Sequence, residues 1–331
     1  MKRVFANMGW LLGGRGFNAV LSLVYLAIAA RTLGTEGFGH FALIIALGQA
    51  ITGFSSFQTW QFIVRWGADP DNPGVDLQRA REATGFAVAL DGVSVAVGTL
   101  ASAVLVLTAP LWLDVPPELM WLTFGYCVIS LLTIRTTPTG MLRLHSEYGK
   151  ATWAEAVQPV IRASGAVLAW WLMPDVTGFI LAFALSEVGT AIALWIVAAR
   201  VQPVPLSSIS LRAIPARHKD AWRFVLSTNM SGSLAVAGKQ VMILLVGTFG
   251  GAYLAGGFRI ANQLGVALIA LAQTISKAIL PELVQSRDGA VEIARRMANI
   301  AAIAGVTAVV TAILFGRPGL ALIAGEQFTG F

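Results

Sequence analysis

Apolar residues in this chain come in long runs rather than in stripes. LVYLAIAA (23–30) and LVLTAPLWL (105–113) show neither the alternation of a half-buried strand nor the one-sided periodicity of a helix lying on a soluble core. A helix that crosses a bilayer needs about 20 mainly apolar residues. Nine windows meet that need: 9–32, 38–63, 84–109, 117–135, 151–173, 177–199, 224–248, 252–280 and 294–316. Leu320 to Phe331 read as the opening of a tenth. A membrane barrel would show alternating segments of about ten residues instead. The fold class is therefore all-α, a polytopic helical membrane protein.

The polar interruptions divide the windows. MPDVTG (173–178) and FGGAY (249–253) barely turn the chain, whereas 200–222 is long, basic and contains Pro and Ser. This predicts a first six-helix lobe over 1–200, a basic linker over 201–222 and a partial second lobe over 223–331. A weak repeat agrees: Gly39-His-Phe-Ala-Leu opens the second span of the first half, and Gly251-Ala-Tyr-Leu-Ala opens that of the second. Asn7 before Arg15 is echoed by Asn229 before Lys239. With an even number of spans per half, such repeats are parallel, related by an axis along the membrane normal.

Composition sharpens the class. The chain is 56% hydrophobic and 12% charged, where a soluble domain is about half apolar and a quarter charged. With the N-terminus in the cytoplasm, sixteen of the 23 basic residues fall on cytoplasmic segments, and only Arg31 and Arg317 fall on the other face. That asymmetry sets the orientation and accounts for the net charge of +6 without nucleic acid. Lys2 and Arg3 precede an apolar segment too long for a cleaved signal, so the first helix reads as a signal anchor. Trp112, Trp121, Trp170 and Trp171 cluster at predicted outer span ends, as interfacial tryptophans do. The single cysteine, Cys127, excludes an intrachain disulfide.

Five cations remain inside predicted spans: Arg15, Arg162, Lys239, Arg259 and Lys277. Each costs about 2.5–3.5 kcal/mol at membrane depth, so such residues face a cavity or a partner. Arg15 and Lys239 hold corresponding places in the two halves, and with Arg259 and Arg162 they predict a central cationic cavity. Guanidinium groups bind phosphate bidentately. The competing reading is an interhelical ion pair, or a side chain reaching to the interface, as for Lys277 near a span end. Asp91, Glu155 and Glu187 are the acids that could take a proton or Na⁺ or neutralise those cations. Glu155 and Arg162 share a helix face, with Gln158 between them. Gln49, Gln58, Gln61, Asn229, Gln240, Asn262, Gln263 and Gln273 add neutral groups suited to sugar hydroxyls or to interhelical bonds.

Nothing reads as an enzyme. His40, His145 and His218 are scattered. No metal-ligand spacing or nucleophile elbow is present, and no loop is long enough for a catalytic domain. No cofactor is expected, and the residues leave open whether H⁺ or Na⁺ couples to any movement.

Two segments carry a resemblance. NMGWLLGGRGFNAVLSLVYLAIAARTLGTEGFGHFALI (7–44) with GFSSFQTWQFIVRWGA (53–68) resembles the N-terminus of bacterial polysaccharide flippases. These are the O-antigen and exopolysaccharide lipid-carrier translocases of the multidrug/oligosaccharidyl-lipid/polysaccharide (MOP) exporter superfamily. PTGMLRLHSEYGKATWAEAVQPVIRASGAVLAW (138–170), GGAYLAGGFRIANQL (250–264) and ISKAILPEL (275–283) are similar to later parts of the same family.

The resemblance implies two six-helix lobes around a V-shaped cavity, alternating access, and the inner membrane. It implies undecaprenyl-pyrophosphate-linked oligosaccharide as cargo, membrane lipids as surroundings and a polysaccharide polymerase complex as a partner. Members are longer than this chain, so the resemblance implies an incomplete second lobe. Members often carry an acid early in span seven, and Gln240–Ile243 has none. The alternatives are a multidrug exporter of the same superfamily, for which a cationic cavity is unsuited, a membrane glycosyltransferase or polymerase, for which the outer loops are too short, and a non-transporting scaffold.

Overall fold

A computed structural model describes residues 2–68 and 75–285 and scattered residues between 295 and 328. Side chains are described from residue 21 onward, except at 217, 235–237 and 266–285 and at the residues left out. The predicted span 294–316 is therefore described only at scattered residues, and the side chains of Arg15 and Lys277 lie outside the described residues.

The described chain is helical: α1 (Lys2–Ser55), α2 (Thr59–Gly67), α3 (Leu77–Thr108), α4 (Met120–Leu132), α5 (Thr136–Leu144), α6 (Tyr148–Glu155), α7 (Val157–Leu172), α8 (Val176–Val201), α9 (Ala213–Arg217) and α10 (Asp220–Gln285). Among the described residues five stretches are long and apolar enough to cross a membrane: Leu21–Gly67, Leu77–Leu111, Pro117–Leu144, Val176–Val201 and Gly238–Gly265.

The helices are inside out relative to a soluble protein. On α3, Val97, Leu100, Val104 and Leu107 are exposed at three- and four-residue intervals. Its buried face carries Ser94, Gly98 and Ser102 among apolar residues. In lipid the hydrophobic effect does not drive helix association, so small residues face inward to bring backbones close. Ser94 and Ser102 donate to the carbonyls of Leu90 and Gly98, so neither hydroxyl is stranded.

The two longest helices are hairpins. Gly34 in α1 has φ 69° and ψ −175°, and Gly251 in α10 has φ 74° and ψ 179°. Tyr25 and Phe41 flank Gly34, and their ring centroids lie 6.2 Å apart. A continuous helix would separate them by roughly 24 Å. Ile243 and Arg259 flank Gly251 in the same way, and they line one cavity. Positive φ is open to glycine at little cost, and this pair fixes the register of the repeat. Gly34 corresponds to Gly251, not Gly39 to Gly251 as the sequence suggested. Gly39 then corresponds to Gly256.

α1 and α10 pack extensively against each other, and Gly39 and Gly256 sit where they cross. A Cβ on Gly39 would overlap the Ala252 carbonyl, and one on Gly256 would lie 3.1 Å from the Gly39 nitrogen. At the same end, Asp114 Oδ2 accepts the Ala252 N–H at 2.9 Å. Phe328 packs edge-on against Phe38 with centroids 6.0 Å apart. The two hairpins are thus closed against each other at the Gly34 end.

The other end is interrupted. The second predicted span breaks at 56–58 between α1 and α2, and the fourth at 133–135 between α4 and α5. The fourth span runs on to Leu144. Arg135, which the sequence places at a span end among loop cations, therefore lies within it. The fifth is split at Ala156 between α6 and α7. The 201–222 segment is packed rather than free. Ile214 and Ala221 join a buried cluster with Phe62, Ala83 and Phe86, and buried Gln202 donates to Thr84 Oγ1 at 3.1 Å.

Candidate functional site: an arginine-lined cavity between the hairpins

The breaks and the crossing leave two adjoining chambers. The larger, about 350 Å³, is lined by Ser22, Arg135, Glu155, Gln158, Pro159, Arg162 and Leu194. The smaller, about 160 Å³, draws Tyr25 and Gln49 from α1, Phe183 from α8, and Gln240, Arg259 and Asn262 from α10. Ser22 and Arg162 line both chambers.

Glu187 organises the larger chamber. It projects from the buried face of α8 beside Ser186 and Thr190. Arg135 Nη2 lies 3.3 Å from Glu187 Oε2, and Arg162 Nη2 lies 3.6 Å from Oε1. Gln158 donates to Oε1 at 3.3 Å. Arg162 Nε also donates to Ser186 Oγ at 3.3 Å, and its guanidinium carbon stands 3.8 Å from the centroid of the Phe183 ring. Two guanidinium groups share one carboxylate, which leaves a positive charge in excess. Arg259 in the smaller chamber adds another. Its only described hydrogen bond is a long one, 3.5 Å to the Ala42 carbonyl.

The smaller chamber offers neutral hydrogen-bonding groups. Gln240 donates to Gln49 Oε1 at 2.8 Å. Gln240 Oε1 and the Tyr25 hydroxyl are buried without a partner, although buried polar groups are normally bonded. Both belong to residues that line the chamber.

Of the cations proposed from sequence, the structure brings together Arg162 and Arg259. Lys239 is exposed and lines neither chamber, although its neighbour Gln240 does. Glu155 is exposed at the mouth of the larger chamber, where its charge partly offsets the arginines. Asp91 is not in the cavity. It accepts a hydrogen bond from Thr137 at 2.6 Å, away from both chambers. Sequence reading missed Arg135. Its signal was Pro138 close behind it, at a position that suits the first turn of a new helix and so points to a break just upstream. Among the described residues no cluster of His, Cys, Asp or Glu could hold a metal ion.

A family profile described as "Polysaccharide biosynthesis protein" matches residues 4–287. The Inner membrane protein YghQ of Escherichia coli (strain K12) is 26% identical over 334 residues, which cover 99% of this chain and 94% of that protein. A solved structure titled as the inward-facing conformation of a multidrug resistance MATE family transporter of the MOP superfamily aligns with a TM-score of 0.58. It is 18% identical and covers 94% of this chain and 74% of that one. At that identity it shows the fold.

Proposed function

This chain belongs to the polysaccharide biosynthesis protein family, and from that premise we propose that it moves a lipid-linked oligosaccharide across the bacterial inner membrane by alternating access. The carrier is undecaprenyl pyrophosphate, and the movement runs from the cytoplasmic to the outer leaflet. The basic asymmetry of the loops supports an N-terminus in the cytoplasm, so the closed Gly34 end faces outward. The proposed lobes are residues 1–200 and 223–331, joined by 201–222.

The observation that carries this reading is Arg162, which lines both chambers, with Arg259 in the second. A pyrophosphate brings negative charge that hydrocarbon would penalise heavily. Arg162 and Arg135 are already turned toward an anion, the Glu187 carboxylate. A phosphate competing for them meets groups whose rotamers are set. The amides of Gln49, Gln240, Asn262 and Gln263 offer donors and acceptors to sugar hydroxyls, while the prenyl chain stays in lipid. Cationic drugs would be repelled by the same arginines.

The test is reconstitution of the full chain in liposomes with a fluorescent undecaprenyl-pyrophosphate saccharide. Its appearance in the far leaflet is read with a membrane-impermeant lectin. The expected result is protein-dependent flipping, lost in the Arg162→Gln/Arg259→Gln variant. Ethidium transport without saccharide flipping would favour the multidrug reading and overturn this one.

A further inference from the structure

Two helix breaks meet an acid whose Oδ1 is buried. Asp91 is the fifteenth residue of the 32-residue α3, far from either end. The 56–58 break places Thr59 at the start of α2, and the 133–135 break places Thr136 and Thr137 at the start of α5. Thr137 donates to Asp91 Oδ2 at 2.6 Å. Thr59 lies 3.0 Å from the Thr137 hydroxyl and donates to Thr136 at 2.8 Å. The first residues of two half-helices thus form a hydroxyl cluster around one carboxyl group. Asp91 Oδ1 is buried and has no hydrogen-bond partner.

No cation on the elements packed around α3 is bonded to Asp91 among the described residues. Arg65 of α2 lies over Trp66 and Phe224, and Arg143 of α5 lies over Trp60. Arg135, at the start of α5, pairs with Glu187. Arg79, near the start of α3, pairs with Asp76. Arg212, ahead of α9, is exposed. Arg81 and Glu82 are one-turn neighbours of Arg79, more than two helical turns from Asp91. An ionised carboxylate here would be a buried charge without a counterion, which proteins avoid by neutralising the group.

From this geometry we propose that Asp91 is a proton-binding site, and that its occupancy is coupled to the cavity through the 133–135 break. The proton adds to the unpartnered Oδ1 and leaves Oδ2 to accept from Thr137. It returns to water when the breaks admit solvent, and no other bond changes. The partial positive charge at the starts of α2 and α5 limits the cost of that release, which makes the proton exchangeable rather than permanent. The coupling follows from the chain itself. Arg135, bonded to Glu187 in the cavity wall, is two residues from Thr137, bonded to Asp91. A shift of the break moves both.

The proton site stands without the cargo assignment, whereas the coupling rests on the alternating-access reading above. Infrared difference spectra of the full chain in nanodiscs, recorded between about pH 5 and about pH 8, report the carbonyl stretch of a neutral buried acid. That band should be present in the native protein and absent in Asp91→Asn. Thr137→Val, which keeps the carboxyl, should shift the band's frequency. Identical native and Asp91→Asn spectra would overturn the site. Loss of the band on replacing choline chloride by sodium chloride at constant pH would overturn the proton as its occupant. For coupling, Ser22→Cys in the cavity is labelled with a soluble maleimide. After correction for the reagent's own pH dependence, the rate should change several-fold across the same pH range, and Asp91→Asn should abolish that change. A present band with pH-independent labelling would leave Asp91 a titrating acid that does not act on the cavity and would overturn the coupling while the saccharide reading stands.

Discussion

Glu187 of α8 and Asp91 of α3 are both acids within apolar helices, and the protein handles them differently. Glu187 is buried and meets two guanidinium groups and an amide. Asp91 meets hydroxyls, and one of its oxygens has no partner. The first acid organises a fixed charge network on a cavity wall. The second lies where two helices are interrupted, and a carboxyl without a counterion in hydrocarbon is expected to carry a proton. Pairing the acid holds the arginines in place, whereas leaving it unpaired makes it responsive to protons.

The largest effect expected from breaking this contrast is at Glu187. Glu187→Gln removes the counterion of Arg135 and Arg162. Breaking a buried pair costs about 3–5 kcal/mol. Arg135 is 28% exposed and Arg162 16%, so the lower end, about 3 kcal/mol, is expected. Thermal unfolding followed by size-exclusion chromatography in detergent should show the loss. The Arg162→Gln/Glu187→Gln protein should recover part of it, because contacting charges couple by about 0.5–3 kcal/mol. Additive losses would mean that the two side chains do not act as a pair.

A smaller effect is expected at Phe183, whose ring lies 3.8 Å below the Arg162 guanidinium carbon. Desolvated cation–π contacts reach about 2 kcal/mol. Phe183→Leu should therefore destabilise by about 1–2 kcal/mol and loosen Arg162. In the Arg162→Gln background the same substitution should cost less, which a double-mutant cycle reads directly.

The contrast between the two acids was only partly legible in the sequence. The class came from long apolar runs. The reversals at Gly34 and Gly251 came from turns too short to be anything else. Arg162 and Gln158 were legible as neighbours on one helix, whereas Glu155 reaches the same chamber across the split at Ala156, which helical spacing did not show. The Arg135–Glu187 contact joins residues 52 positions apart, and no local pattern announces it. Apolar windows also hid the breaks at 56–58 and 133–135, because a three-residue interruption barely changes an average taken over twenty. With the breaks unseen, Arg135 fell at a span end among the loop cations, and Asp91 was one more acid in a span with no known neighbours. The repeat was seen in the wrong register because Gly39 and Gly251 both open helices. The backbone angle, which singles out Gly34 and Gly251, is not written in the residue type.

The smallest effect is expected at Asp91 itself, and its sign is the informative part. An amide closely mimics a neutral carboxylic acid in shape. It keeps an oxygen to accept from Thr137 and carries no charge. If Asp91 holds a proton at neutral pH, Asp91→Asn should change stability by less than about 1 kcal/mol, within the range of replacing one hydrogen-bonded group by another. If the carboxylate is instead ionised, the substitution removes an unpaired buried charge, and the protein should become clearly more stable. If it is ionised and held by a cation, loss of that pair should cost about 3 kcal/mol or more, as at Glu187. Thermal unfolding of native and Asp91→Asn protein at neutral pH separates these three outcomes, because near-zero, positive and strongly negative changes do not overlap. Only the near-zero result is the one a protonated Asp91 gives, and only the strongly negative one would make it a paired acid like Glu187.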